Sequence, residues 1–364
     1  MTKRIRVALV GAVSLLALVF AGSALASFTP KLTVTNATQA AGSGGGVTIT
    51  VQVNQTDDPT AKVSIYVPNG YQLNSPNPGT KLGDVKATAQ AADLGGAVLP
   101  LTGDLLAVDP KQFATQQAAC GVTTVAATWD LHLTAAGQTL DVPMFVVQNT
   151  GPELTVGQFK LVICLPPPDV PAGTPGRATF GAKLLSATFT SSAFTNPPSA
   201  GEYRWTSAWT PYTPNTGKPN AAGSLEVQSL VRLPTQVALT ARKTRTFKNV
   251  KVKGKTVKQL WTRVAVIARV TENTQPVAGI RVTMTVNGKR LGAASTDTKN
   301  GAVTGTFLLR KGTATVAASG AIPTRDLGAP GCVKTAIFGG IPCSDATVGG
   351  STVRATTKVA AFKK

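Results

Sequence analysis

The sequence predicts an all-β protein built of antiparallel β-sandwich domains with an immunoglobulin-like character, and three observations carry that prediction. Apolar and polar residues alternate with period two in one segment after another. Glu occurs only at 153, 202, 226 and 272, while Gly, Thr, Val and Ala dominate. Four cysteines stand in a chain that opens with an export signal. Period-two alternation sends one row of side chains into a core and the other into solvent, as in half-buried antiparallel strands. A chain poor in helix formers and rich in β-branched residues and Gly favours strands and tight turns.

At the N-terminus, Lys3, Arg4 and Arg6 precede an apolar stretch from Val7 to Phe20, and Ala24-Leu25-Ala26 follows. This order of basic, apolar and small residues predicts a signal peptide over residues 1–26, cleaved before Ser27. An uncleaved anchor is the rival, since crossing a bilayer takes about 20 residues, but Gly11, Ser14, Gly22 and Ser23 dilute the run. No later segment is apolar for long enough to span a membrane, so the expectation is a secreted or extracellular protein without a transmembrane anchor after cleavage. An exported chain folds under oxidising conditions, where Cys120, Cys164, Cys332 and Cys343 read as disulfides. Four cysteines allow three connectivities; pairing within each domain joins Cys120 to Cys164 and Cys332 to Cys343. Zinc fits poorly, because C-x-x-C spacing is absent and His132 is the single histidine. No metal is expected.

The elements follow in order. Val47, Ile49, Val51 and Val53 alternate with Thr48, Thr50, Gln52 and Asn54. Val63, Ile65 and Val67 repeat the pattern and stop at Pro68-Asn69-Gly70, a turn signal. Val125, Ala127, Trp129, Leu131 and Leu133 face one way, and Thr128, Asp130, His132 and Thr134 are expected on the solvent side. Phe159, Leu161, Ile163 and Leu165 form the next alternating run, ended by the Pro- and Gly-rich stretch 166–176. A second such stretch, 210–223, precedes one more strand and Leu233-Pro234. Charge changes there: residues 27–232 carry 11 basic and 12 acidic side chains, whereas 233–364 carry 22 and 4, a net of +18. The predicted organisation is therefore an N-terminal sandwich at 27–232, one enlarged unit rather than two, and a basic sandwich domain at 233–364.

Within the basic domain, Gln275-Pro276-Val277-Ala278-Gly279-Ile280 leads into Val282 to Val286 and the turn Asn287-Gly288. A second turn, Thr296-Asp297 to Asn300-Gly301, and the run Thr313 to Ala318 follow. On these motifs residues 234–320 resemble a bacterial immunoglobulin-like domain of the type strung together in surface adhesins. The resemblance implies a sandwich and a role in adhesion. It ends after Gly320, where a tail adds Cys332, Cys343 and a final strand near 353–362. No such resemblance extends to residues 27–232.

Catalytic machinery is not expected. Nucleophilic catalysis usually needs a His base, and His132 has Asp130 beside it but no G-x-S-x-G elbow in the chain. Asp57-Asp58 reads as turn chemistry, and the glycine run 42–46 lacks the Lys-Ser/Thr of a phosphate loop. No cofactor is expected. Tyr203, Trp205 and Trp209 share strand parity, so they form either a glycan-stacking face or a row of core packing. From Arg242 to Lys258, eight of seventeen residues are Lys or Arg and none is acidic. Lys251 and Lys253 alternate with Val250 and Val252, which predicts a hairpin with its valines docked on the core and its ammonium groups outside. Lys251, Lys253, Lys255 and Lys258 are the candidate polyanion-binding residues; the rival is protection of an edge strand against pairing. The function expected is a non-enzymatic secreted or cell-surface protein that mediates adhesion or binds anionic envelope or matrix polymers, or glycan, and is retained at the envelope by that binding. The alternative is a carbohydrate-active or cell-wall hydrolytic enzyme with a basic binding module.

Overall fold

The computed structural model describes residues 28–74, 76–135, 137–295 and 300–363; the expected signal peptide and Thr296 to Lys299 of the expected turn lie outside them. The chain first lays down β1 (Lys31–Asn36), β2 (Val47–Gln52), β3 (Thr60–Val67), β4 (Lys81–Ala91), β5 (Ala97–Val108) and β6 (Ala127–Ala135). It continues with β7 (Gln138–Gln148), β8 (Phe159–Cys164), β9 (Ala182–Ser191), β10 (Gly201–Thr213) and β11 (Leu225–Leu233). Past a cis Leu233-Pro234 bond come β12 (Thr235–Val252), β13 (Lys255–Glu272), β14 (Arg281–Val286), β15 (Lys289–Ser295), β16 (Ala302–Leu309) and β17 (Thr313–Ile322). The last two are β18 (Cys343–Val348) and β19 (Ser351–Ala360).

The first unit is one 14-stranded sheet in the order β1-β2-β9-β4-β5-β6-β7-β8-β3-β10-β11-β18, with Arg325–Asp326 outside β18 and Lys218–Pro219 beside β10. It curls around a single apolar core that runs in sequence from Phe28 to Leu233 and includes Ile49, Ile65, Trp129, Met144, Phe189 and Trp205. The free edge of β1 ends against side chains of β11 and β18. Val34 N–H donates to Ser229 Oγ (2.8 Å), and Thr347 Oγ1 donates to Leu32 O (2.8 Å). Two buried hydroxyls thus satisfy backbone groups that a lone edge would leave to water.

A short helical excursion, Pro110–Phe113 and Ala114–Ala119, packs Phe113 and Cys120 against Phe145 and Val162 on the outer face of β7 and β8. The disulfide Cys120–Cys164 ties this flap to the end of β8. The row Thr128, Asp130, His132, Thr134 was expected in solvent, and the structure corrects half of it. Thr128 lies opposite Phe145, and both Thr128 and Asp130 are buried; only the far end of the row, from His132 onward, reaches water.

The second unit is a sandwich of two four-stranded sheets, β12-β13 with Gln275–Pro276 and β16, facing β15-β14-β17-β19. Val264, Val266, Val270, Val282, Met284, Val316 and Val359 fill the space between. Asn287 (φ 49°) and Gly288 (φ 77°) make the tight turn between β14 and β15, the left-handed pair that a two-residue hairpin loop requires. The tail beyond Gly320 divides. Its end, β19, completes the sandwich by pairing with β17 across ten residues.

Its middle does not stay in the basic domain where the sequence placed it. Residues 325–348 return to the first unit, where β18 runs parallel to β11. The cause lies on β11, whose Glu226 and Gln228 are fully buried and must find partners. Gln228 accepts from Val333 N–H (3.0 Å) and donates to Val333 O (2.5 Å), as a backbone neighbour would. Glu226 accepts from Thr335 N–H (2.9 Å) and from the Thr335 hydroxyl. The Cys332–Cys343 disulfide closes the returning loop at this point.

Candidate functional site

β12 and β13 are 18 residues each and pair along their whole length, from Thr235↔Glu272 to Val252↔Lys255. β16 accompanies β13 only as far as Thr262↔Leu309. Beyond that point the hairpin continues as a two-stranded arm that turns at Lys253 (φ 49°) and Gly254 (φ 79°). Lys251 and Lys258 share one face with Phe247 and Leu260, Lys255 lies on the other with Val250, Val252 and Val257, and Lys253 is at the tip. All four lysines are exposed, as are Arg242, Lys243, Arg245 and Lys248.

The expected docking of the valine face is corrected by the structure. Val252 and Val257 are 50% and 45% exposed and Phe247 is 64% exposed, because the arm has run past the sandwich and has no core beneath it. Aromatic rings support its base instead. The Lys248 ammonium lies 5.3 Å from the Trp261 ring centroid, and Lys243 and Arg245 lie 5.0 and 5.3 Å from that of Phe362. The hairpin's one acid, Glu272, is buried at the opposite end and bound to Arg325 (2.6 Å) and Arg232 (3.5 Å). The basic tip therefore has no carboxylate of its own strands to neutralise it.

Of the two readings of the aromatic row, the structure shows core packing and not a glycan-stacking face. Trp205 and Trp209 are completely buried. Trp205 meets Tyr71 and Phe194 edge to face at 5.0 and 5.7 Å, and Trp209 Nε1 donates to Ser207 Oγ (2.8 Å). Tyr203 is half-buried, and its hydroxyl donates to Ser199 O (2.8 Å). Their shared parity is the parity of the core face, where each ring removes a large apolar area from water, so no stacking platform faces solvent at these residues.

On the β6–β7 hairpin, His132 Nδ1 stands 2.7 Å from Asp141 Oδ1 and 3.7 Å from Asp130 Oδ2. Burial, and secondly the neighbouring Asp141 charge, push the Asp130 carboxyl up to about 6. Asp141 was not singled out from the sequence. The register that pairs Ala135 with Gln138 sets Asp141 directly opposite His132; fixing that register is the signal that finds it. Two open depressions, one lined by Thr29, Lys31, Gln52 and Ser186 and the other by Asn36, Gln39, Ile322 and Thr352, contain no Asp or Glu that would serve as a glycosidase pair. No helix among the described residues is long and apolar enough to cross a membrane. No protein-family model matches the chain, and no curated protein matches it.

Proposed function

We propose that the protein is an exported, non-enzymatic binding protein that attaches to anionic polymers of the cell envelope or matrix through the β12–β13 arm. The observation that carries this reading is the arm itself: eight exposed Lys and Arg residues between 242 and 258 on a hairpin extended past its own sandwich, without an acid among them. Edge protection accounts for lysines on an open edge. It does not account for building the arm, since a hairpin ending near Arg245 and Thr262 would leave less edge to protect. Such a rod can lie along a polyanion and release its condensed counterions. The returning segment 325–348 carries Arg325, Lys334, Asp326 and Asp345 and so no net charge, which leaves the +18 of residues 233–364 on the second sandwich and its arm.

The resemblance of residues 234–320 to adhesin-type immunoglobulin-like domains supports the same reading, as do the leader and the disulfides for a protein secreted and then held at the envelope. A binding array with the chain from Ser27 onward tests it. Polyglycerol phosphate and other anionic wall polymers bind, and neutral glycans do not. Retention on neutral glycans alone would overturn the proposal.

A further inference from the structure

We infer that Asp130, His132 and Asp141 form a binding site for one divalent transition cation on the outer face of the β6–β7 hairpin. Backbone register brings the three together: Asp130 and His132 are two residues apart on one strand face, and Asp141 is the cross-strand partner of His132. One ligand atom from each lies within 4.8 Å of the others. Atoms bound at about 2.0–2.2 Å to a shared ion stand roughly 3–3.6 Å apart. The observed 2.7 and 3.7 Å separations bracket that spacing, so small side-chain rotations seat the ion.

The second observation is the state of Asp130. Its side chain is only 4% exposed, and Oδ1 has no hydrogen-bond partner among the described residues. A buried carboxylate oxygen without a donor is costly unless a cation or a proton satisfies it. Neighbouring basic groups do not. Lys81 is held by Asp84 and by Asp104, the neighbour of His132 on β5, at 2.8 Å each. Among the described ion pairs no Lys or Arg reaches Asp130 or Asp141, and the His132 ring is their shared partner. Two carboxylates thus face a single imidazole, a charge deficit that one divalent ion removes.

The donor set selects the ion. Ca²⁺ takes six to eight oxygens, whereas one nitrogen and two carboxylates with an open side suit Zn²⁺, Co²⁺ or Mn²⁺. The open side is present: His132 and Asp141 are each 44% exposed, so water completes the coordination. The site lies on the first unit, and the polymer-binding arm belongs to the second, so the two inferences stand or fall separately.

The test uses untagged chain from Ser27 onward, Zn²⁺ by calorimetry, Co²⁺ by visible absorption, and Ca²⁺ in parallel. One Zn²⁺ binds per chain, and His132→Gln and Asp141→Asn each weaken binding at least tenfold while melting like wild type in EDTA. Asp104→Asn, whose carboxylate is held by Lys81, leaves the affinity unchanged. Because His132 is the single histidine, its ring ¹⁵N resonances report directly in wild type, and Zn²⁺ shifts them in proportion to occupancy whether or not the variants fold. No Zn²⁺ uptake at millimolar concentration, uptake that leaves the His132 ring unmoved, or Ca²⁺ binding as tight as Zn²⁺ overturns the assignment. The first of these results leaves a proton shared by Asp130 and Asp141 as the satisfying group.

Discussion

Replacing Lys251, Lys253, Lys255 and Lys258 together by Gln should change the salt dependence of polymer binding while leaving the fold intact. All four side chains are exposed, none takes part in a described ion pair, and Lys253 occupies a turn conformation that Gln adopts at similar cost. The magnitude follows from counterion release. Each ammonium that neutralises one charge of a single-stranded polyanion releases about 0.7 counterion, so eight contacts give a log–log salt slope of roughly −6 and four give roughly −3. Between 50 and 200 mM NaCl the wild-type chain then loses on the order of a thousandfold in affinity, and the quadruple variant roughly fiftyfold. Fluorescence anisotropy of a labelled polyglycerol phosphate across that range measures both slopes. Melting curves run beside it establish that the variant is folded. Identical slopes for the two proteins would refute the reasoning, and the lysines would then be left with protection of the open β12 edge.

Three further outcomes follow from the packing. Non-reducing peptide mapping of secreted protein should recover Cys120 linked to Cys164 and Cys332 linked to Cys343; with loops of 44 and 11 residues, removing each bond costs about 4 and 3 kcal/mol on the loop-entropy model, read by denaturant unfolding. Gln228→Ala deletes both bonds to Val333 and leaves the half-buried Arg204 Nη1 with only its 3.4 Å bond to Gly331 O in place of the 2.6 Å one. The expected loss is roughly 1–3 kcal/mol, with faster hydrogen exchange confined to residues 333–348; unchanged exchange there would show that β18 is held by the disulfide and the ladder alone. Glu272→Gln removes the charge that binds Arg325 and Arg232, costing roughly 1–3 kcal/mol because both arginines stay partly exposed to water, yet polymer affinity should hold because the carboxylate lies at the far end of the hairpin from Gly254. A drop in affinity equal to that of the quadruple lysine variant would contradict this placement.

The strands that alternate cleanly were legible as sequence. Ile49, Ile65, Leu131 and Leu161 all point into the first core, as period two requires. Alternation misled wherever a second layer covers the face that would otherwise be wet. Asp130 and Thr128 read as a solvent row because alternation along their own strand does not report the layer over that face, where Phe113 and Cys120 of the flap pack on Phe145, the cross-strand partner of Thr128. Nothing local to Glu226 and Gln228 announces that Val333 and Thr335 return to them from more than a hundred residues away. The arm failed for the opposite reason. A Val–Lys alternation implies a buried face only if a core lies under it, and periodicity carries no information on where the sandwich ends.

The distribution of acids ties the architecture to the proposed function. Along the β12–β13 hairpin one carboxylate, Glu272, is present, and it is spent at the junction, where Arg232 of β11 and Arg325 of the returning segment converge on it. Lys31 of β1 and Asp326 of the same returning segment form a second link nearby. Strand pairing of β18 with β11 and these ion pairs hold the base of the hairpin against the first unit. Charge compensation is therefore concentrated where the two units meet and is missing where the arm enters solvent. A surface evolved only to stay soluble gains most from mixing both signs along an exposed edge. Mixed charge at the base and single-sign charge toward the tip is instead the arrangement that keeps the field of the arm directed outward, where a polyanion would meet it.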